Sequence, residues 1–251
     1  MAFRKNNTYK YEPGNTFKLS RSGIDSFIKC KRCFYLNKVG NIKDIGMPGF
    51  SLNSAHDELM KKELDIYREN GEAHPYMESL KRNLIPFQHE DMENWRNNFK
   101  GVTYHHKKTD LIITGSVDDV WIDTDTEELV IVEYKSTSTQ SEIDLNDGTP
   151  WKEQYKRQID IYQWLFKMNG FKVADDSVFL YSNGLKTSKK FKDVMKFKTY
   201  VLEYKGSTDW VEEKIFEIKK VLDEKVTPKI NEDCDTCSYV ESVSLYQQNM
   251  D

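Results

Sequence analysis

The sequence predicts a mixed α/β protein with a central mixed sheet flanked by helices. Three observations carry this reading. Apolar residues fall at helical spacing through the first hundred positions, short β-rich runs begin at Val102, and helix, strand and helix patterns then alternate as far as Pro228. The chain has 251 residues, 38% apolar, 13% aromatic and 31% charged, which is too aromatic for a disordered tail and too polar for a membrane protein. Its longest apolar runs, such as 129–132 and 178–181, are four residues, against the ~18 that a spanning helix needs.

Each element has its own signal. Ser20 or Ser22 can cap a helix carrying Ile24, Phe27, Ile28 and Tyr35 on one face, and Asn53 or Ser54 can start another with His56, Leu59, Met60, Leu64 and Tyr67. A third covers about 91–99, with Met92, Trp95 and Phe99 at helical spacing. β-Rich runs at 102–106, 111–122 and 129–135, the last two separated by the turn DTDTEE, read as a meander of two or three strands. A helix at about 151–168 places Tyr155, Ile159, Tyr162 and Phe166 on one stripe. Strands at about 178–181 and 196–204 follow, with a lysine-rich loop between them. The last helix starts at Asp209 with Glu212 as its capping box, aligns Val211, Ile215, Ile218 and Leu222, and stops before Pro228. The expectation is one domain over 1–251, with a helical part at about 18–100, a core at about 101–205, and a final helix and cysteine segment at about 206–251.

Charge narrows the partners. Thirty-seven basic against 41 acidic residues give −4, which argues against coating nucleic acid through bulk charge and leaves room for a local basic groove. The amino terminus, MAFRKNNTYKYEPGN, lacks the apolar middle of a secretory signal, so a cytoplasmic location is expected.

The informative stretch is ITGSVDDVWIDTDTEELVIVEYKSTST, residues 112–138. With the turn centred on Asp125 and Thr126, Ile122 lies opposite Leu129 and Asp118 opposite Glu133. Opposed Cβ atoms lie about 4.5–5.5 Å apart, so both carboxylates can reach one ion at the ~2.0–2.1 Å that Mg²⁺ requires. Alternation puts Lys135 on the face of Glu133 and Asp119 on the other. Apolar neighbours Val117, Val120, Trp121, Leu129, Val130, Ile131 and Val132 mark buried strands, where unpartnered charges are costly. An ordinary edge hairpin with exposed charges has the same spacing.

Four ordered motifs then make the chain resemble a known family: His56 in SAHDELMKKE, Asp118 in GSVD, Glu133-Tyr134-Lys135, and Gln158 with Tyr162 in QIDIY. Together with SRSGIDSFIKCKRCFYL they resemble the PD-(D/E)XK nucleases, in particular the RecB-like branch that includes the CRISPR-associated exonucleases, over roughly residues 18–240. The resemblance implies a restriction-endonuclease-like core and one Mg²⁺ or Mn²⁺ held by His56, Asp118, Glu133 and the backbone carbonyl of Tyr134. It also implies that Lys135 orients the attacking water and that Gln158 and Tyr162 form the branch's accessory pair. The sequence departs from the pattern in carrying Glu133 where many relatives have Asp, and Leu52 near the place of a glycine that often precedes the histidine.

Cys30, Cys33, Cys234 and Cys237 form two C-x-x-C pairs. RecB-like relatives often carry four cysteines, one early and three late, around an iron–sulfur cluster. The distribution here is two and two, compatible with a cluster, a zinc site, or free reduced thiols. Six lysines lie between 186 and 198 against one acid, Asp193. Lys189, Lys190 and Lys192 are therefore candidates for phosphate contact, and a solvated loop tip has the same composition. Family analogy adds Lys152, Lys156 and Arg157 beside Gln158. His89, His105 and His106 have no matching context.

The resemblance therefore implies a metal-dependent deoxyribonuclease, acting as an exonuclease on single-stranded DNA ends, with unwinding left to a helicase or CRISPR-adaptation partner. A non-catalytic nucleic-acid-binding scaffold and a restriction-type endonuclease are the rivals.

Overall fold

The computed structural model describes residues 8–12, 14–43 and 49–249. Residues 1–7, read above for a leader, lie outside them. In chain order the first elements are β1 (Phe17–Ser20), α1 (Arg21–Lys29), α2 (Lys31–Lys38), α3 (Ser51–Asn70), β2 (Leu84–Pro86) and α4 (Met92–Arg96). There follow β3 (Val102–His106), β4 (Leu111–Gly115), β5 (Asp119–Asp123), β6 (Glu128–Thr137), α5 (Pro150–Met168), β7 (Asp176–Gly184), β8 (Phe197–Lys205), α6 (Asp209–Asp223) and α7 (Asp235–Gln248). The fold is mixed α/β, as expected, with strands arranged in two sheets, β1-β4-β3 and β2-β5-β6-β7-β8. The described residues fall into two compact units, one from within 8–43, 105–114 and 209–249, the other from 49–104 and 115–208. These units cut across the three stretches expected from the sequence.

The second unit is built on the five-stranded sheet. β6 pairs in parallel with β7, and the other neighbours are antiparallel. The β5–β6 register is the expected one: Ile122 faces Leu129 and Asp119 faces Val132. The polar turn closes because Asp123 Oδ1 accepts the backbone N–H groups of Asp125 (3.0 Å) and Thr126 (3.4 Å). Alternation divides the two faces. Val130, Val132 and Tyr134 of β6 and Val178 and Leu180 of β7 join Met60 and Leu64 of α3 in one core. Phe179 and Tyr181 join Ile159 of α5 in the other. Full burial of each such side chain contributes about 1.5–3 kcal/mol. Glu133 and Lys135 alternate with the first set and so point to the α5 face.

Helix ends follow local chemistry. Gly71, at φ 66°, closes α3 in the left-handed conformation that glycine adopts without strain. Pro150 opens α5, where its missing N–H costs nothing. In the first unit Ser20 caps α1 by accepting the Gly23 N–H at 3.2 Å, and β1 pairs in parallel with β4. Val211, Ile215, Ile218 and Leu222 of α6 are buried as their spacing predicts.

Two expectations are corrected and one helix is added. The run 111–122 is two strands in different sheets, interrupted at Ser116–Asp118, so the three β-rich runs are not one meander. A Cβ at Gly115 would lie 2.5 Å from Cε1 of the buried Tyr162, and the chain passes there only because Gly115 has no side chain. The first helix is two, because Cys30 adopts extended backbone angles (φ −159°, ψ 109°), ending α1 and capping α2. Helix α7 carried no apolar stripe to announce it, and only Cys237 on it is buried.

Candidate active site

Four elements of the second unit bring the predicted site residues together. His56 lies in the first turns of α3, Asp118 in the link into β5, Glu133, Tyr134 and Lys135 on β6, and Gln158 and Tyr162 one turn apart on α5. His56, Asp118, Glu133, Tyr134 and Lys135 line one polar cavity of about 310 Å³, joined by Asp57 and Tyr155. The expected pairing of Asp118 with Glu133 lies one step past the end of the β5–β6 ladder. There the Tyr134 N–H donates to Asp118 Oδ2 at 2.9 Å, which fixes the carboxylate without a strand partner.

Glu133 is the centre of the arrangement. Its Oε1 accepts from Lys135 Nζ at 2.6 Å and from Gln158 Nε2 at 2.7 Å. Gln158 also donates to the Tyr162 hydroxyl at 3.0 Å, and its Oε1 accepts from Lys135 Nζ at 3.3 Å. The Lys135 ammonium lies 4.1 Å from the centroid of the Tyr155 ring, a cation–π contact that confines it further. Gln158 and Tyr162 thus lie behind the cavity and reach it through Glu133 and Lys135. Glu133 is 3% exposed, yet its Oε2 has no hydrogen-bond partner among the described residues. A buried anionic oxygen left without a donor is costly.

The electrostatics point the same way. Burial, then the charge of Glu133, pushes the Asp118 carboxyl up to about 7, against the partial relief given by Lys61 and Lys135. Burial lowers the His56 imidazolium, against the opposing charge of Asp57, and so favours the neutral ring that ligates metals. The donor set is therefore two carboxylates whose mutual repulsion is only partly offset, one orphaned oxygen and one neutral imidazole. These residues fit a divalent cation.

Sequence reasoning missed four supporting residues. Lys61 donates to Asp57 at 2.8 Å and approaches Asp118 at 3.7 Å. The i,i+4 spacing of Asp57 and Lys61 one place beyond His56 was the available signal. Asp119, on the opposite face as expected, is fully buried and anchors a separate network. Its Oδ1 accepts from Arg68 (2.5 Å), Arg96 (2.9 Å) and the Val120 N–H (2.8 Å), and its Oδ2 from the Tyr134 hydroxyl (2.7 Å). Burial alone would raise this carboxyl, and Arg96 and Arg68 outweigh it and hold it below the usual range. No sequence spacing joins positions 68, 96, 119 and 134.

The proposed DNA contacts divide. Lys189, Lys190 and Lys192 are exposed in the loop between β7 and β8. Lys156 is half-buried and donates to Glu153 at 2.8 Å, and Arg157 is half-buried beside it. Lys152 is buried against Asp147 at 2.5 Å, so its charge is already matched. His89 stacks on Trp95 at 4.3 Å, His106 bonds Thr109 at 2.8 Å, and His105 lies 3.5 Å from Asp110, and none of the three lines the cavity. In the first unit the four cysteines converge, their Sγ atoms all within 4.8 Å of one another, close enough to share one metal centre.

No helix among the described residues is long and apolar enough to cross a membrane. No curated protein matches the chain. A family model does, over residues 18–242, and every motif residue assembled in the cavity lies inside that span. By this match over most of its length, with a mixed sheet carrying Asp118, Glu133 and Lys135 into one cavity, the chain belongs to the PD-(D/E)XK nuclease superfamily.

Proposed function

We propose that the protein is a deoxyribonuclease of the RecB-like branch, dependent on Mg²⁺ or Mn²⁺, that removes nucleotides from single-stranded DNA ends. The observation that carries this is Glu133, pinned through Oε1 by Lys135 and Gln158 while its buried Oε2 has no partner beside Asp118. His56, Asp118, Glu133 and the Tyr134 carbonyl would hold the cation. When bound, the ion polarises the phosphoryl oxygens and makes a water nucleophilic at neutral pH.

The chain's own groups do the rest. Lys135, its ammonium fixed between Glu133, Gln158 and the Tyr155 ring, presents its remaining donor capacity to the attacking water and to charge growing on the phosphate. Lys189, Lys190 and Lys192 neutralise neighbouring phosphates.

A preference for unpaired strands is supported by an apolar pocket of about 170 Å³ that shares Asn53, His56 and Ser136 with the polar cavity and adds Leu52, Met195 and Phe197. The Phe197 ring lies 5.1 Å from that of His56 and is 40% exposed. A flipped or unpaired base next to the scissile phosphate finds a stacking surface there, whereas a paired base would stay in its duplex.

The test uses 5′- and 3′-labelled linear single strands, linear duplex and circular single-stranded DNA, each with Mg²⁺, Mn²⁺ or EDTA. The reading predicts a ladder growing from one end of the linear single strand, an intact circle and silence in EDTA. A nicked circle would establish an endonuclease instead, and cutting in EDTA would remove the metal from the account.

A further inference from the structure

We infer that Cys30, Cys33, Cys234 and Cys237 bind a single zinc ion as a tetrathiolate, and not the iron–sulfur cluster that the family resemblance implies. The inference is independent of the phosphodiester chemistry proposed above.

The argument begins with distances between sulfurs. Cys30 and Cys237 are 3.6 Å apart, and Cys33 is 3.7 Å from both Cys234 and Cys237. All four Sγ atoms lie within 4.8 Å of one another. A tetrahedron with Zn–S bonds of about 2.3 Å has S···S edges of about 3.8 Å. In a four-iron cluster each thiolate binds its own iron, so the width of the cluster is added to the separation of the sulfurs. Thiolates at 3.6–3.7 Å leave no room for it. They are equally far from a disulfide, whose S–S bond is about 2.05 Å.

The backbone supports the same conclusion. Cys30 breaks the chain between α1 and α2 so that the Cys33 N–H donates to its Sγ at 3.4 Å. A metal-bound thiolate accepts the same kind of bond from a backbone N–H. Cys30, Cys234 and Cys237 are buried, and the cluster contains no apolar side chain other than the cysteines themselves. Four thiolates so close would repel one another without a cation, and four neutral thiols would offer only weak contacts.

Helix α7 supplies the independent observation. Of its fourteen residues only Cys237 is buried, while Tyr239, Val240, Leu245 and Tyr246 are more than half exposed. Apolar burial therefore does not hold this helix. A metal bond at Cys237, with Cys234 at its N-cap, does. The close set with no cluster-sized gap fits a single ion, and zinc is the ion that closed structural four-thiolate sites commonly hold.

The test is elemental analysis of protein purified without oxygen. The expected result is one zinc per chain, no iron, no acid-labile sulfide and a colourless solution. Asp118→Asn protein should carry the same zinc, which separates this site from the cavity on β6. Exchange with Co²⁺ should give the intense visible bands of a tetrahedral cobalt thiolate, and Cys33→Ser with Cys237→Ser should lose the metal. If the serine variant fails to fold, wild-type protein still decides the matter: its four thiols should resist a thiol reagent until a chelator is added. Brown protein with iron and sulfide, iron alone, or metal-free protein with four freely reacting thiols would each overturn the assignment.

Discussion

Glu133 and Asp119 show how neighbouring carboxylates acquire opposite tasks. Glu133 spends one oxygen on Lys135 and Gln158 and leaves the other unpartnered, whereas Asp119 has both oxygens satisfied by Arg68, Arg96 and Tyr134. Replacing Glu133 should therefore cost activity with little stability, and replacing Asp119 the reverse. Asp119→Ala is expected to destabilise the protein by about 3–5 kcal/mol by removing the buried partner of Arg68 and Arg96, which keep only the more exposed carboxylate of Asp65, measured by urea unfolding. Gln158→Ala should lower Mn²⁺ affinity or turnover by about 10–100-fold, as loss of a supporting bond to a ligand does, read by calorimetric titration and single-turnover cleavage. The pH dependence has two signs in two windows. Asp119 has a depressed carboxyl, so its stabilisation is present above about pH 4 and is lost as pH falls through the folded value. Asp118 is raised to about 7, so the native state of EDTA-treated protein holds a proton that the unfolded chain releases. Its stability should fall as pH rises from about 4 to about 7. Asp118→Asn should flatten that slope in chemical denaturation, and an unchanged slope would reassign it.

At the scale of elements, β6 is the organising strand, because period-two alternation delivers Tyr134 to one face and Glu133 and Lys135 to the other. That much was legible: hairpin register follows from the position of the turn, and the apolar residues at 129–132 declared a buried strand. The junction at Gly115 was not legible, because the need for a missing side chain comes from Tyr162, on a helix far along the chain. Gly115→Ala should displace the Tyr162 ring and, through its hydroxyl bond to Gln158, loosen Glu133. The expected outcome is destabilisation of about 1–3 kcal/mol from overpacking together with reduced metal affinity, and wild-type affinity in a folded variant would contradict it. The loop between β7 and β8 carries a separate prediction. Neutral replacements at Lys189, Lys190 and Lys192 should reduce the slope of log K against log salt for single-stranded DNA by about 2, from ~0.7 per phosphate contact.

Across the whole molecule, the active-site residues belong to one compact unit and the four cysteines to the other. Sequence order gives little sign of this division, since the first unit gathers three segments that long stretches of the second separate, while only His105–Thr114 interrupts the second. The net charge of −4 is equally uninformative about where DNA would lie, because the five lysines of one loop are hidden within a slightly acidic total. What composition, order and spacing did convey was the superfamily, through motifs that become meaningful only when a sheet and two helices converge on them. The central claim is that this convergence is a metal-dependent nuclease site. The most direct measurement compares single-turnover cleavage of end-labelled single-stranded DNA by wild-type, Glu133→Gln and Lys135→Ala proteins in saturating Mn²⁺, with folding checked by circular dichroism. The account predicts rates reduced by about 10²–10³-fold or more in both folded variants, and cleavage by Glu133→Gln at the wild-type rate would contradict it.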